Sequence, residues 1–216
     1  GVHMSGARTL LGQLFRDSSA VTVVEIGLAT PFLMGLSLTG GEVVNLTITH
    51  VRLNQLAITV ADNASRAKLA QVNSAPQFRE YDVDQVFTGA GLSVKDLDFP
   101  TRGRIILSSL QVNSAGGQWI QWQRCSGSNA YASRYGVQGT GATGTAFKGM
   151  GKGTSPMTAD ADTAIMFVEV AYNYRPLFFN QVITTTVLRK EAAVYVRDDR
   201  DLTKIYPTPG LTPANC

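Results

Sequence analysis

The chain has 216 residues, of which 44% are hydrophobic and only 16% charged, and its formal net charge is +3. That length suits one domain with an added element and is short for two full domains. The charge content lies well below the ~25% usual in soluble domains, which points to partial membrane residence or a β-rich extracytoplasmic body. Lys and Arg are scattered, and no basic run is interleaved with aromatics, so nucleic acid is not an expected partner.

In chain order, Met4 reads as the natural initiator, and residues 1–3 stay outside the fold argument. Residues 5–20 are short and mildly basic, with Arg8 and Arg16 against Asp17. An apolar segment opens at Val21. Between Glu25 and Glu42 it carries no charge for 16 residues. As a helix that is about 24 Å, against about 30 Å for a bilayer core. Thr30, Ser37, Thr39 and Gly40 dilute it further. Composition leaves three readings open: a membrane or filament helix, the core helix of a soluble protein, or a secretory signal peptide. The last fits worst, because a glutamate opens the run and no small-x-small site follows it.

Residues 43–71 carry two periods. Val44, Leu46 and Ile48 alternate with polar residues as in a strand. Leu46, His50, Leu53, Ala57, Val60, Ala64 and Ala67 recur at steps of four and three, as on one face of a helix. The helical pattern runs longer and contains no Gly or Pro, so one continuous helix is predicted from about 21 to 70. A helix of that length needs a partner for its stripe, either a sheet of the same chain or other subunits. His50 lies on the stripe and reads as a packed polar residue, since no second histidine or cysteine lies nearby. The sequons at Asn45 and Asn63 fall inside this helix and are discounted.

Beyond residue 72 the pattern changes. Asn73 to Pro76 reads as a linker. Asp82, Asp84 and Gly89-Ala-Gly91 predict short irregular structure. Strands are predicted over 104–112 and 118–124, joined in a hairpin by Asn113 to Gly117. A third covers 163–174, with Met166, Val168, Val170 and Tyr172 on one face. A fourth covers 183–197. One long helix and four strands define an α+β fold with a mainly antiparallel sheet, on which an amphipathic helix can bury its stripe.

The polar motifs are weak. Gly139-Thr-Gly141-Ala-Thr-Gly144 is a literal GxGxxG, yet no buried strand precedes it and no helix follows, as a dinucleotide site requires. Residues 136–153 therefore read as a flexible glycine-rich loop. Asp160, Asp162 and the run Arg197 to Asp201 lack the glycine and terminal glutamate of a calcium loop and read as a solvated, internally paired charge cluster. No residue set has the partners for nucleophilic or acid–base chemistry. Neither catalysis, cofactor, metal nor small-molecule substrate is expected. Cys125 and Cys216 match no zinc spacing. In an oxidising compartment they would pair and pin the C-terminal tail; in a reducing one they would stay thiols.

The segment Ser19-Ala-Val-Thr-Val-Val-Glu25-Ile-Gly-Leu-Ala-Thr-Pro31, followed by Gly41-Glu42, resembles the start of TadE/TadG-like pseudopilins of the tight-adherence (Flp-type) pilus system. Phe167 to Pro176, Val196 to Leu202 and the pair Cys125 and Cys216 are similar to later segments of the same proteins. Ala20 stands where Gly is usual, and Ile26 where an aromatic residue is usual.

The resemblance implies a pilin-like fold with a cytoplasmic leader (1–20), an N-terminal helix (21–71) and an extracytoplasmic β-rich domain (72–216). It implies cleavage between Ala20 and Val21, assembly roles for Glu25, Pro31 and Glu42, and a Cys125–Cys216 disulfide. The expected partners are other pilin or pseudopilin subunits and inner-membrane assembly proteins, with the domain in the periplasm or in a pilus. The physics is direct. A carboxylate in an apolar helix is costly unless paired, and cleavage creates an amino terminus with which a neighbour's Glu25 can pair. Pro31 removes one helical hydrogen bond and allows a kink. The competing reading is a periplasmic binding or adhesion module that uses the glycine-rich loop with Trp119 and Trp122.

Overall fold

A computed structural model describes residues 18–178, 186–197 and 199–216. Residues 1–17 of the expected leader, the predicted start of the fourth strand at Ile183, and Asp198 lie outside the described residues. The fold is α+β, as the periodicities predict: a long N-terminal helix and a four-stranded antiparallel sheet.

Helix α1 spans Ser18–Arg66. Its second half carries the predicted stripe. Leu53, Leu56, Ala57, Val60, Ala61 and Ala64 are buried, while Leu46 and Ala67 are partly buried against the same core. Each fully buried Leu or Val is worth about 1.5–3 kcal/mol, enough to hold the helix on the sheet. His50 is half-buried on this helix.

A short hairpin follows, β1 (Leu69–Gln71) and β2 (Ser74–Gln77), where a linker was expected. The larger correction is α2, Glu80–Ser93, a 14-residue helix in a stretch expected to be irregular. Its buried residues Val83, Val86, Phe87 and Ala90 follow the i, i+3, i+4, i+7 spacing of one helix face. Asp82 accepts the Arg79 backbone N–H at 2.9 Å, closing the first turn, and the acidic Glu80 and Asp82 suit the positive end of the helix dipole. A 3-10 turn (Lys95–Leu97) and the single turn α3 (Phe99–Arg102) lead into the sheet.

The strands are β3 (Gly103–Val112), β4 (Gln118–Ser126), β5 (Ala164–Tyr174) and β6 (Thr186–Tyr195). They lie in the order β4-β3-β5-β6, each pair antiparallel. In the β3–β4 turn the Asn113 carboxamide oxygen accepts the backbone N–H groups of Ala115 (2.8 Å) and Gly117 (2.9 Å), a side-chain substitute for backbone turn bonds. On β5, Met166, Val168, Val170, Tyr172 and Tyr174 face the helices. Ile165 and Phe167 face the other way and join Leu110, Ile120, Met150 and Ala159 in a second core.

The glycine-rich loop covers this second face. Met150 is fully buried, and the Asn113 amide donates to Gly141 and Gly144 carbonyls, both at 2.8 Å. Gly141 has φ +76°, and a Cβ there would come within 2.3 Å of the Gln118 carbonyl oxygen, so this close approach requires glycine. The segment is thus a third layer of the fold rather than a free loop.

Arg200 corrects the expected solvated charge cluster. It is buried, donates to the Ala64 and Ala67 carbonyls at 2.8 and 2.7 Å, and lies over the Phe78 ring at 4.4 Å. A cation there closes the C-terminal end of α1, where backbone carbonyls lack helical partners. Among the described residues no group of three or more acids, histidines and cysteines is placed to hold a metal ion.

Candidate functional site: the apolar arm and its Glu42 junction

Helix α1 has two environments. From Val21 to Gly40 every residue is exposed, whereas Glu42 and the stripe beyond it are buried in the domain. The first part is an arm projecting from the body. Residues 21–41 span about 32 Å at 1.5 Å per residue, enough to match a bilayer core of about 30 Å. It is one helix long and apolar enough to cross a membrane. Soluble monomers rarely expose a contiguous apolar patch above a few hundred Å², so a mostly apolar arm exposed along its whole length demands a cover.

The polar residues that dilute the arm in sequence are partly masked in the helix. The Thr30 hydroxyl donates to the Ile26 carbonyl at 2.6 Å and the Thr39 hydroxyl to the Gly35 carbonyl at 2.7 Å. A hydroxyl bonded within its own helix enters an apolar phase at lower cost than a bare one. Pro31 lies inside the helix and withdraws one donor from the ladder. Glu25 is exposed on the arm, and the Ala20–Val21 bond lies in its first turn.

Glu42 behaves differently from the other singled-out residues. It is buried, and its carboxylate accepts the Tyr174 hydroxyl together with the backbone N–H groups of Leu177 (2.8 Å) and Phe178 (3.1 Å). The Asn45 amide donates to the same Tyr174 oxygen at 2.7 Å. Burial, then the hydrogen bond to Glu42, pushes the Tyr174 phenol up to about 12. Three donors converging on one carboxylate suit its ionised form. The result is a latch that fixes where the arm leaves the body. Gly41 makes room for it, since a Cβ there would meet the Phe178 ring at 3.2 Å.

Glu25 and Glu42 are separated by about 25 Å of helix, so the structure does not bring the singled-out residues into one site. They mark the two ends of the arm. The resemblance implies an assembly role for Glu42; in the fold its carboxylate is engaged within its own chain. Of the latch residues, Tyr174 falls in the segment Phe167 to Pro176 that the resemblance covers, without a role assigned there, while Leu177 and Phe178 carry no local signature that sequence reasoning could have used.

Cys125 and Cys216 form a disulfide. The tail reaches it along the free edge of β4, where the Cys125 N–H donates to the Ala214 carbonyl at 2.7 Å. The loop covers the same edge at Ile120, which pairs with Gly139 and Thr140. An otherwise open strand edge is thereby closed. Trp122 is buried and stacked on Phe78 at 5.6 Å, so of the two tryptophans only Trp119 keeps partial exposure.

Comparison with protein-family models, curated proteins and solved structures finds no match to this chain.

Proposed function

We propose that this chain is a membrane-anchored, pilin-like structural subunit, of the type that takes part in assembling a tight-adherence (Flp-type) pilus. The observation that carries the reading is the arm: some twenty exposed, mostly apolar residues in unbroken helical continuity with the core helix of a folded domain. A signal peptide need not be fused rigidly to the core, and a soluble core helix would be covered along its length. An arm of this kind suits two successive environments, the bilayer before assembly and a bundle of neighbouring arms after it. Glu25, in the N-terminal part of the arm, supplies a charge that needs a partner in either. The disulfide suits an oxidising compartment for the domain.

Two measurements test this. Fractionation should place the full chain with integral membranes or sheared filaments; free periplasmic recovery would favour the binding-module reading. Glu25→Ala should block filament assembly while the domain stays folded, and normal piliation in that variant would sink the role given to Glu25. Mass spectrometry of the mature amino terminus checks cleavage before Val21.

A further inference from the structure

We propose that residues 175–178, directly after β5, form a second membrane contact, with Leu177 and Phe178 seated in the interfacial layer of the same bilayer that holds the arm. This rests on the membrane reading of the arm.

Leu177 is 60% exposed and Phe178 52% exposed. Single exposed apolar residues need no explanation, but these two are consecutive and fixed. Their backbone N–H groups are held by the Glu42 carboxylate, and Pro176 before them is buried. Residues 177 and 178 are therefore held against the helix through their backbone, while both side chains keep more than half of their surface exposed.

Its level is set by the arm. The Phe178 ring packs beside Gly41, the last residue before the helix enters the domain. An arm of about 32 Å in a core of about 30 Å places residue 41 at the boundary between acyl chains and headgroups. Leu177 and Phe178 then lie at that same depth. Arg175, exposed two residues earlier, is placed to reach lipid phosphates. An apolar pair flanked by a cation is the composition that partitions into this layer.

The occupant is lipid rather than a second protein. The patch is continuous with the exit point of the arm, so in the membrane-bound chain any neighbour at that level must first displace headgroups.

The test uses the full chain in nanodiscs of phosphatidylcholine and phosphatidylglycerol. Single-cysteine variants Leu28→Cys, Leu177→Cys, Phe178→Cys and Val72→Cys, with the native disulfide intact, each carry an environment-sensitive fluorophore. Lipids bearing a quencher near the headgroup or deep in the acyl chain report depth. Positions 177 and 178 should be quenched to within roughly twofold of position 28, most strongly by the shallow quencher. Val72, on the hairpin at the far end of α1, should be unaffected. If 177 and 178 both behave like 72 while 28 is quenched, the loop contact is refuted and the membrane anchor survives. If 28 is also unquenched, the anchor reading and this inference fall together. The label at 177 keeps the test valid if Phe178→Cys disturbs packing beside Gly41.

Discussion

The Arg124 guanidinium and the Glu80 carboxylate form an ion pair buried between β4 and the first turn of α2, with Nε 3.0 and 3.1 Å from the two carboxylate oxygens. Arg124 also donates to the Gln123 carbonyl at 2.8 Å and to the Gln138 side chain at 3.2 Å. One residue thus ties α2, β4 and the glycine-rich loop together.

Removing one partner strands a buried charge. Glu80→Leu is expected to cost about 3–5 kcal/mol, read as a lowered urea midpoint for the protein in detergent. The double variant Glu80→Leu with Arg124→Met should cost clearly less than the sum of the two single changes. Simple additivity would show that the two side chains do not act as a pair.

At the arm's exit, Glu42→Ala deletes the acceptor of three hydrogen bonds. The orphaned donors should cost about 1–3 kcal/mol. The local readout is hydrogen exchange: the amides of Leu177 and Phe178 should lose protection, while those of β3 and β5 keep theirs. Unchanged protection at 177 and 178 would rule out the latch.

Glu169 gives a pH dependence of defined sign. Its carboxyl is raised above the ordinary 4.5, chiefly by burial, although it accepts the Arg134 N–H at 2.9 Å and the Ser133 hydroxyl. The folded state therefore holds this proton more tightly than the unfolded chain. The contribution is fully present below pH 4.5 and is lost as pH rises through the folded value. Glu169→Gln should remove that decline, so the gap between variant and parent urea midpoints should shift in the variant's favour from pH 4.5 upward. A gap that stays constant across that range would contradict the shift.

Breaking the Cys125–Cys216 link reopens a loop with a sequence separation of 91 residues. Chain-entropy reasoning puts the loss at about 4–5 kcal/mol. Cys216→Ser should lower the melting temperature, and a reductant should then have no further effect on the variant. Equal melting of parent and variant would mean the tail is held by its packing alone.

The sequence made the main frame legible because its signals were long. The stripe from Leu53 to Ala64 and the alternation through Met166 to Tyr172 each span enough residues to outweigh local exceptions. Helix α2 is hard to read because Gly89, Gly91, Asp82 and Asp84 are poor helix formers, while the Val83-Val86-Phe87-Ala90 spacing is present but short. Tertiary burial of that face overrides the propensity. Arg200 was misread for a different reason: among Arg197, Asp199 and Asp201, nothing local marks the one residue that reaches the end of α1. The resemblance singles out Glu25, Pro31 and Glu42, and the fold places the first two on the exposed arm and the third at its junction with the domain. The Glu42 partners Tyr174, Leu177 and Phe178 lie some 130 positions away in sequence, and only the folded chain brings them together.

The continuity of α1 has a mechanical side. Because the helix runs unbroken from the arm into the core stripe, a pull along the arm is transmitted as shear between α1 and the strands beneath it. In that geometry the contacts from Leu53 to Ala64 share the load together instead of peeling one after another. The Glu42 latch and the Arg200 closure sit at either end of the loaded seam. A domain built this way resists a pull through its helical arm better than one joined to that arm by a flexible tether.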